Sequence, residues 1–150
     1  VKRPVKEIDY GFAGDVEEVN TLAIDHLLKA GFTPVFCAIT HNKEGQLLNT
    51  NADTIASEVA IGMSGEYDTT LYYCFEKKGV LLDVTNGDSV VTHLEPVYYQ
   101  ELLNKKIIAD GMLPKLENCF HALHRNVGKV CIGDIGMLAP HATLYTTITL

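Results

Sequence analysis

The sequence is poor in positive charge: 12 lysines and arginines stand against 19 aspartates and glutamates, a net charge of −7 over 150 residues. This balance repels a polyphosphate backbone and argues against nucleic-acid binding, although a small anion can still bind where the local potential is positive. Apolar runs are also short, far below the ~20 residues that cross a bilayer. We therefore expect a single cytoplasmic domain without membrane or nucleic-acid partners.

Cysteine is scarce and widely spaced, and no CxxC pair is present. Each cysteine lies in an apolar stretch, which favours buried free thiols in a reducing compartment. A structural zinc site is disfavoured because such sites use close ligand pairs. The cysteines are Cys37, Cys74, Cys119 and Cys131.

Signature motifs of several catalytic classes are missing too. There is no GxxxxGK[ST] of the P-loop enzymes, no HRD or DFG of the protein kinases and no GxSxG of the hydrolases. His121 and His124 lie close to Cys119, but no third ligand is near in sequence, so a surface pair is favoured over a metal site. We predict no metal held by protein side chains.

Helical and strand patterns alternate along the chain. Apolar residues recur at helical spacing in VNTLAIDHLLKAGF, NADTIASEVAIGMS, EPVYYQELLNKK and LPKLENCFHALHRNVG. TPVFCAIT, TTLYYCF, KVCIGD and TLYTTITL are predicted strands, and GVLLDV is a short extended piece in a hairpin or loop. TPVFCAIT is a short apolar run, which is typical of strands buried on both faces of a parallel sheet, and KVCIGD is predicted as another buried strand. The order predicts an α/β fold in which helices cover a mainly parallel sheet.

In such a sheet, ligands bind beyond the carboxyl ends of the strands, where loops lead into helices. One such loop, GQLLNTNAD, carries Asn49, Asn51 and Asp53, although one polar residue suffices to cap the helix that follows. The three are either a cap, a turn residue and a first-turn acid, or a ligand-facing helix start. In the second interpretation, Asn49 donates to a substrate carboxylate or carbonyl and Asp53 holds a lysine or a metal.

A second helix start, IIADGMLPKLENCF, places Lys115 in the first helical turn, directly after Pro114. A lysine there opposes the helix dipole at a cost of ~0.3–1 kcal/mol. The cost disappears if a phosphate binds the free amides of that turn, and Gly111 would let the backbone approach it. The alternative is a solvated surface lysine. Lysine, aspartate, asparagine and amides together are what phosphoryl transfer requires.

The segments GFAGDVEEVN, EGQLLNTNAD, GVLLDV and DGMLPKLENCFHAL occur in this order, and NxNAD is later followed by DGMxxK. They resemble the carboxyl-terminal half of the acetylglutamate kinases, a branch of the amino acid kinase family. The resemblance implies a three-layer αβα sandwich around a mainly parallel sheet. It implies ATP-dependent phosphorylation of the side-chain carboxylate of N-acetyl-L-glutamate, or a related N-acylglutamate, in arginine biosynthesis. ATP and Mg²⁺ would be the cofactors, and the protein would be a homo-oligomer.

The same resemblance implies roles for individual residues. Asn49 would contact the acylglutamate, Asp53 would organise the catalytic lysines, Lys115 would stabilise the transferring phosphoryl group, and Asn51 would be left to cap its helix. The residues that would bind the nucleotide are Glu76, Lys77, Lys78, Gly79, Val80, Leu81, Ile107, Ile108, Ala109 and Gly111.

Two departures from the family pattern shape these expectations. The family's TDVPG reads CFEKKG here, so Glu76 replaces an aspartate and two lysines follow it. The family's amino-terminal K-x-GG segment has no counterpart, so residues 1–150 are expected to form the nucleotide-binding half of a longer kinase. The alternatives are a non-catalytic, nucleotide-binding or regulatory half-kinase, or a kinase of another carboxylate or of a nucleoside monophosphate.

Overall fold

The computed structural model describes residues 1–5, 7–108 and 111–150. Two compact units make up the chain, Val1–Met63 and Ser64–Leu150. In the described ranges, each helix falls short of the length and apolar character that a membrane crossing requires.

The first unit contains two helices and a two-stranded hairpin. Its elements are α1 (Thr21–Lys29), β1 (Ile39–His41), β2 (Leu47–Asn49) and α2 (Ala52–Met63). The strands pair antiparallel, with Ile39 opposite Asn49, and the two helices pack against each other. The hairpin turn, residues 42–46, reverses the chain directly ahead of the Asn-rich helix start.

Both predicted helices of this unit form, and the predicted caps begin them. The side-chain oxygen of Asn20 accepts from the Ala23 N–H at 3.1 Å, and that of Asn51 accepts from the Thr54 N–H at 3.1 Å. Each bond satisfies an N–H that has no partner inside the helix. Gly31, at φ +83°, provides the left-handed residue that follows the end of α1.

The predicted buried strand TPVFCAIT is wrong in extent and in burial. Only residues 39–41 are paired, and Val35 keeps 91% of its surface exposed. A strand needs a neighbour for its N–H and C=O groups, and within the described ranges residues 33–37 pair with none. The apolar composition favoured a buried strand, but composition does not supply the neighbouring strand that burial requires.

The second unit is built on a four-stranded sheet in the order β3-β5-β6-β4. The strands β3 and β5 pair parallel, as do β4 and β6, while β5 and β6 are antiparallel, so the sheet is mixed but mostly parallel. The elements are β3 (Thr70–Cys74), β4 (His93–Leu94), α3 (Pro96–Asn104), α4 (Leu113–His124), β5 (Lys129–Gly133), a 3₁₀ helix (Ile135–Leu138) and β6 (Thr146–Ile148).

The core of this unit lies where α4 packs on β5. Val130 and Ile132 on the strand and Leu116 on the helix are all fully buried. Burying one such side chain contributes about 1.5–3 kcal/mol. The prediction of KVCIGD as an interior strand is therefore confirmed, and the predicted apolar face of α4 points inward.

The expectation of four buried thiols is correct for two of them. Cys119 and Cys131 are buried, and burial raises the pKa of the Cys131 thiol. Cys37 and Cys74 are exposed. Cys37 is exposed because its segment is unpaired, and Cys74 because alternate side chains of β3 point to opposite faces of the sheet.

We expect Cys37 and Cys74 to react quickly with a thiol reagent such as DTNB under native conditions, and Cys119 and Cys131 only after unfolding. The reason is access, together with the raised pKa of Cys131, since the thiolate is the reactive form. Counting thionitrobenzoate released before and after adding denaturant tests this. Serine variants at positions 37 and 74 assign the fast phase, and a fast phase that survives both would contradict the prediction.

Candidate functional site

The carboxyl ends of β3 and β5 lie side by side, with Cys74 opposite Gly133. The Phe75 N–H donates to the Gly133 carbonyl at 3.0 Å, which extends the pairing into the loop. A Cβ at Gly133 would lie 3.0 Å from the carbonyl oxygen of Lys78, so the loop after β3 crosses close over the end of β5. Two loops thus start from one edge of the sheet, the position at which α/β sheets bind ligands.

The loop after β3 is fixed to the sheet at Gly79 and Val80. The Val80 N–H donates to the buried hydroxyl of Thr146 at 2.8 Å. A Cβ at Gly79 would lie 2.5 Å from the same Oγ1 and 2.9 Å from Val90, so only glycine allows this approach. The loop backbone is therefore held in place before any ligand binds.

A small cleft forms where this loop meets the segment that precedes α4. It encloses about 40 Å³, only a few times the roughly 10–15 Å³ that one water molecule needs. The cleft is therefore too small to enclose a planar ring, which would lie across its mouth. The walls are mostly apolar, and Lys77 is the charged residue among the lining residues that the structure describes. The lining residues are Lys77, Gly79, Val80, Leu81, Val84, Ile107, Ile108 and Met112.

The cleft brings together the two segments that the sequence predicted for one ligand. Lys77, Gly79–Leu81, Ile107 and Ile108 were predicted there, whereas Val84 and Met112 were missed. The signals for the missed pair were present, since Val84 ends GVLLDV and Met112 follows Gly111 in DGM. Distant sequence segments that meet at the edge of a sheet are what a binding site requires.

Glu76, Lys78 and Gly111, which were also predicted to bind the nucleotide, are not among the residues of this lining. Glu76 is exposed, and Lys78 donates to Asp88 at 2.5 Å, a hydrogen bond that raises the pKa of Lys78. A Cβ at Gly111 would meet nothing within 4 Å, so the fold itself does not require glycine there. Ala109 falls outside the described residues.

Lys115 lies in the first turn of α4, after Pro114, as predicted. The residue that precedes the helix, Met112, makes no side-chain capping bond, and the first turn carries no acid. The ammonium of Lys115 lies 5.8 Å from the ring centroid of Tyr73 on β3, a side chain only 5% exposed. The sequence analysis did not predict this ring–ammonium contact.

In the first unit, the Asn-rich loop contains the predicted helix cap and two further polar residues. Asn51 caps α2. Asn49 uses its backbone to join β2 to the preceding segment, with its N–H donating to Phe12 O at 2.8 Å and its carbonyl accepting from Gly14 N at 2.9 Å. Its side chain is exposed, and the half-buried Asp53 follows in the first helical turn. Asn49 and Asp53 therefore remain candidates for a ligand, whereas Asn51 has a structural role.

The histidine pair on α4 shows no sign of a metal site. His121 and His124 are both exposed, and the described part of the chain contains no cluster of three or more metal-binding side chains.

A comparison with known families now places the chain. The model of the amino acid kinase family matches residues 2–134. The chain belongs to the amino acid kinase family. Among curated proteins, it is 50% identical over 132 residues to the acetylglutamate kinase of Phocaeicola vulgatus, and the match covers 88% of this chain. The acetylglutamate kinase of Prochlorococcus marinus is 36% identical over 147 residues.

Solved structures agree with this assignment of the amino acid kinase fold. The protein smu.665 of Streptococcus mutans matches with a TM-score of 0.76 at 30% identity, over 98% of this chain and 55% of its own. The chain spans about half the length of the curated relatives it matches, 51% of the Phocaeicola vulgatus kinase and 46% of the Prochlorococcus marinus kinase.

Proposed function

We propose that this chain carries the nucleotide-binding part of an ATP-dependent kinase that phosphorylates the side-chain carboxylate of N-acetyl-L-glutamate, or a related N-acylglutamate, in arginine biosynthesis. The observation that carries the proposal is the cleft in which residues 79–81 meet residues 107–108, just ahead of Lys115 at the start of α4. The names of the relatives supply the substrate. We further propose that the enzyme is a cytoplasmic homo-oligomer, as the family resemblance implies.

The cleft has the character of a nucleotide base site. Its apolar walls, Val80, Leu81, Ile107 and Ile108, can cover one face of a purine ring, which would lie across the shallow mouth. Lys77 provides positive charge beside it for the phosphates. Because Gly79 and the Thr146 hydroxyl fix the loop, this wall is preformed and little ordering is needed when the nucleotide binds.

The start of α4 has the character of a phosphate site. The first-turn amides of a helix attract anions, and among the described residues neither a side-chain cap nor a first-turn acid competes for them here. The ammonium of Lys115 would stabilise the negative charge on the transferring phosphoryl group. In that step a carboxylate oxygen bonds to the γ-phosphorus while the bond to the bridging oxygen of ADP breaks. Mg²⁺ would be held mainly by the ATP phosphates, since the described residues contain no ligand cluster of their own.

Asn49 and Asp53 would act at the site of the phosphoryl acceptor, the acylglutamate. The exposed amide of Asn49 can donate to a carboxylate or an acyl carbonyl, and Asp53 can orient a lysine through its charge.

Replacing Asn49 and Asn51 by alanine, one at a time, distinguishes the residue that caps the helix from the residue that binds the ligand. Asn51→Ala should lower the free energy of unfolding by about 1 kcal/mol, because the Thr54 N–H loses its acceptor. Asn49→Ala should change stability by less than about 0.5 kcal/mol and raise the KM for the acylglutamate instead. Urea titrations and initial rates measure both effects. The reverse result, a stability loss at position 49 only, would exchange the two roles.

Acyl phosphate formation tests the function directly. The natural protein that carries this sequence is mixed with ATP, Mg²⁺ and N-acetylglutamate, and the product is trapped with hydroxylamine as a coloured hydroxamate. N-succinylglutamate, glutamate and aspartate are run in parallel to define the acceptor. Hydroxamate from an N-acylglutamate, and little from the free amino acids, supports the proposal. ATP binding without turnover on any acceptor would contradict it and favour a non-catalytic nucleotide-binding module.

A further inference from the structure

The contact between Lys115 and Tyr73 carries a further inference, which rests on the proposed function. We propose that the aromatic ring of Tyr73 is a positioning group that holds the Lys115 ammonium at the site of phosphoryl transfer. The Nζ lies 5.8 Å from the ring centroid, within the ~6 Å at which a cation is attracted by an aromatic face.

The ring is well suited to this role because it is fixed. Tyr73 is 5% exposed and lies within β3, where it stands opposite Ile132 of the central strand β5. Side chains alternate along a strand, so Leu71 and Tyr73 share the buried face, while Tyr72 points to the other side and is 42% exposed. The flexible stem of Lys115 therefore meets a rigid partner on the neighbouring element.

The chemistry of the partner also fits the role. The first turn of α4 repels a cation, and an aromatic face attracts one through its quadrupole without bringing a negative charge. The ring can therefore help to orient Lys115 without adding a charge to the site.

A spectroscopic experiment tests the contact in solution. The ε-methylene protons of Lys115, assigned by NMR through loss of their signal in Lys115→Ala, should be shifted upfield by the ring. The shift should persist in Tyr73→Phe and Tyr72→Leu and disappear in Tyr73→Leu. An unshifted wild-type signal, or one that Tyr73→Leu leaves in place, would overturn the inference.

A kinetic experiment tests the role, with the natural protein and the hydroxamate assay. Tyr73→Leu should lower kcat by about tenfold, with less than about a twofold change in the KM for ATP. Tyr73→Phe and the control Tyr72→Leu should remain close to wild type. Because Tyr73→Leu alters a buried site, a second series of variants keeps the shape of the aromatic ring. In this series, the ring hydrogens of Tyr73→Phe are progressively replaced by fluorine, which weakens the quadrupole of the ring. The kcat should fall stepwise along the series.

Three results would count against the inference. They are a flat fluorination series, an unchanged kcat in folded Tyr73→Leu, and an equal loss from Tyr73→Leu in a Lys115→Ala background, which would show a role independent of the lysine. If the wild-type protein forms no hydroxamate, the proposed function has failed and this inference fails with it. If wild type is active and only the Tyr73 results disagree, the function stands and the positioning role alone is lost.

Discussion

Lys115→Ala is expected to lower kcat by roughly 10²–10³-fold, the loss typical of removing one preorganised group that stabilises transition-state charge. The KM for ATP should rise much less, because the apolar cleft and Lys77 remain in place to bind the nucleotide. Hydroxamate formation under saturating ATP and acceptor measures the effect. A loss confined to KM would mean that Lys115 binds ATP without acting on the transferring group.

The same substitution should leave the fold nearly unchanged. Removing Lys115 relieves a helix-dipole penalty of about 0.3–1 kcal/mol and loses a ring contact of about 0.5–1 kcal/mol. Since these effects oppose each other, the free energy of unfolding should change by less than about 1 kcal/mol, as measured by urea titration.

Lys105→Ala provides the matched control for Lys115. Lys105 follows α3 and forms a surface pair with Glu101 at 3.6 Å, which contributes little to stability. It should retain wild-type rates. A rate loss at Lys105 equal to that at Lys115 would mean that general positive charge, rather than one placed ammonium, supports the reaction. A large stability loss in Lys115→Ala would instead make Lys115 structural.

Local signals in the sequence were reliable where local chemistry decides the structure. Asn20 and Asn51 begin α1 and α2 as predicted, because a cap is made with amides three residues away. The buried strand β5 was also predicted, since a short apolar run between a glycine and a polar turn is typical of a buried strand. The segments that line the cleft were predicted from the family resemblance, and the structure brings them together.

Features that depend on a distant partner could not be predicted from local patterns. The exposed segment ahead of β1 has the composition of a buried strand, yet its pairing depends on another strand. Tyr73 is an aromatic, buried residue of the kind that usually serves packing. Its contact with Lys115 depends on the packing of α4 against the sheet. The antiparallel pairing of β6 with β5 likewise depends on how the chain returns to the sheet, which local patterns do not predict.

Gly79→Ala is the second change with a large expected effect, because it strikes the loop that forms one wall of the cleft. The added Cβ would lie 2.5 Å from Thr146 Oγ1, 2.9 Å from Val90 Cγ1 and 3.0 Å from the backbone nitrogen of Thr146. Neither the strand backbone nor a fully buried threonine can move aside easily. Overpacking of this kind costs about 1–3 kcal/mol, and the Val80 N–H would also lose its bond to Thr146.

We therefore expect Gly79→Ala to lower the free energy of unfolding by about 2–6 kcal/mol, the sum of about 1–3 kcal/mol for overpacking and about 1–3 kcal/mol for one buried unsatisfied donor. Urea titration of the natural protein that carries this sequence measures the effect. In the natural protein, the same change should raise the KM for ATP, because the displaced loop no longer presents Val80 and Leu81 to the base.

Gly87→Ala is the matched control, in the same loop region but with nothing within 4 Å of the added Cβ. It should alter stability by less than about 0.5 kcal/mol and leave the KM for ATP unchanged. Comparing the two variants distinguishes a steric clash at position 79 from a general need for flexible glycines in this loop. If flexibility were the requirement, both variants would be defective. If Gly79→Ala were as stable as Gly87→Ala, the loop would not be fixed to β6. The cleft would then form only when a nucleotide binds, and the preformed wall on which the binding argument depends would be absent.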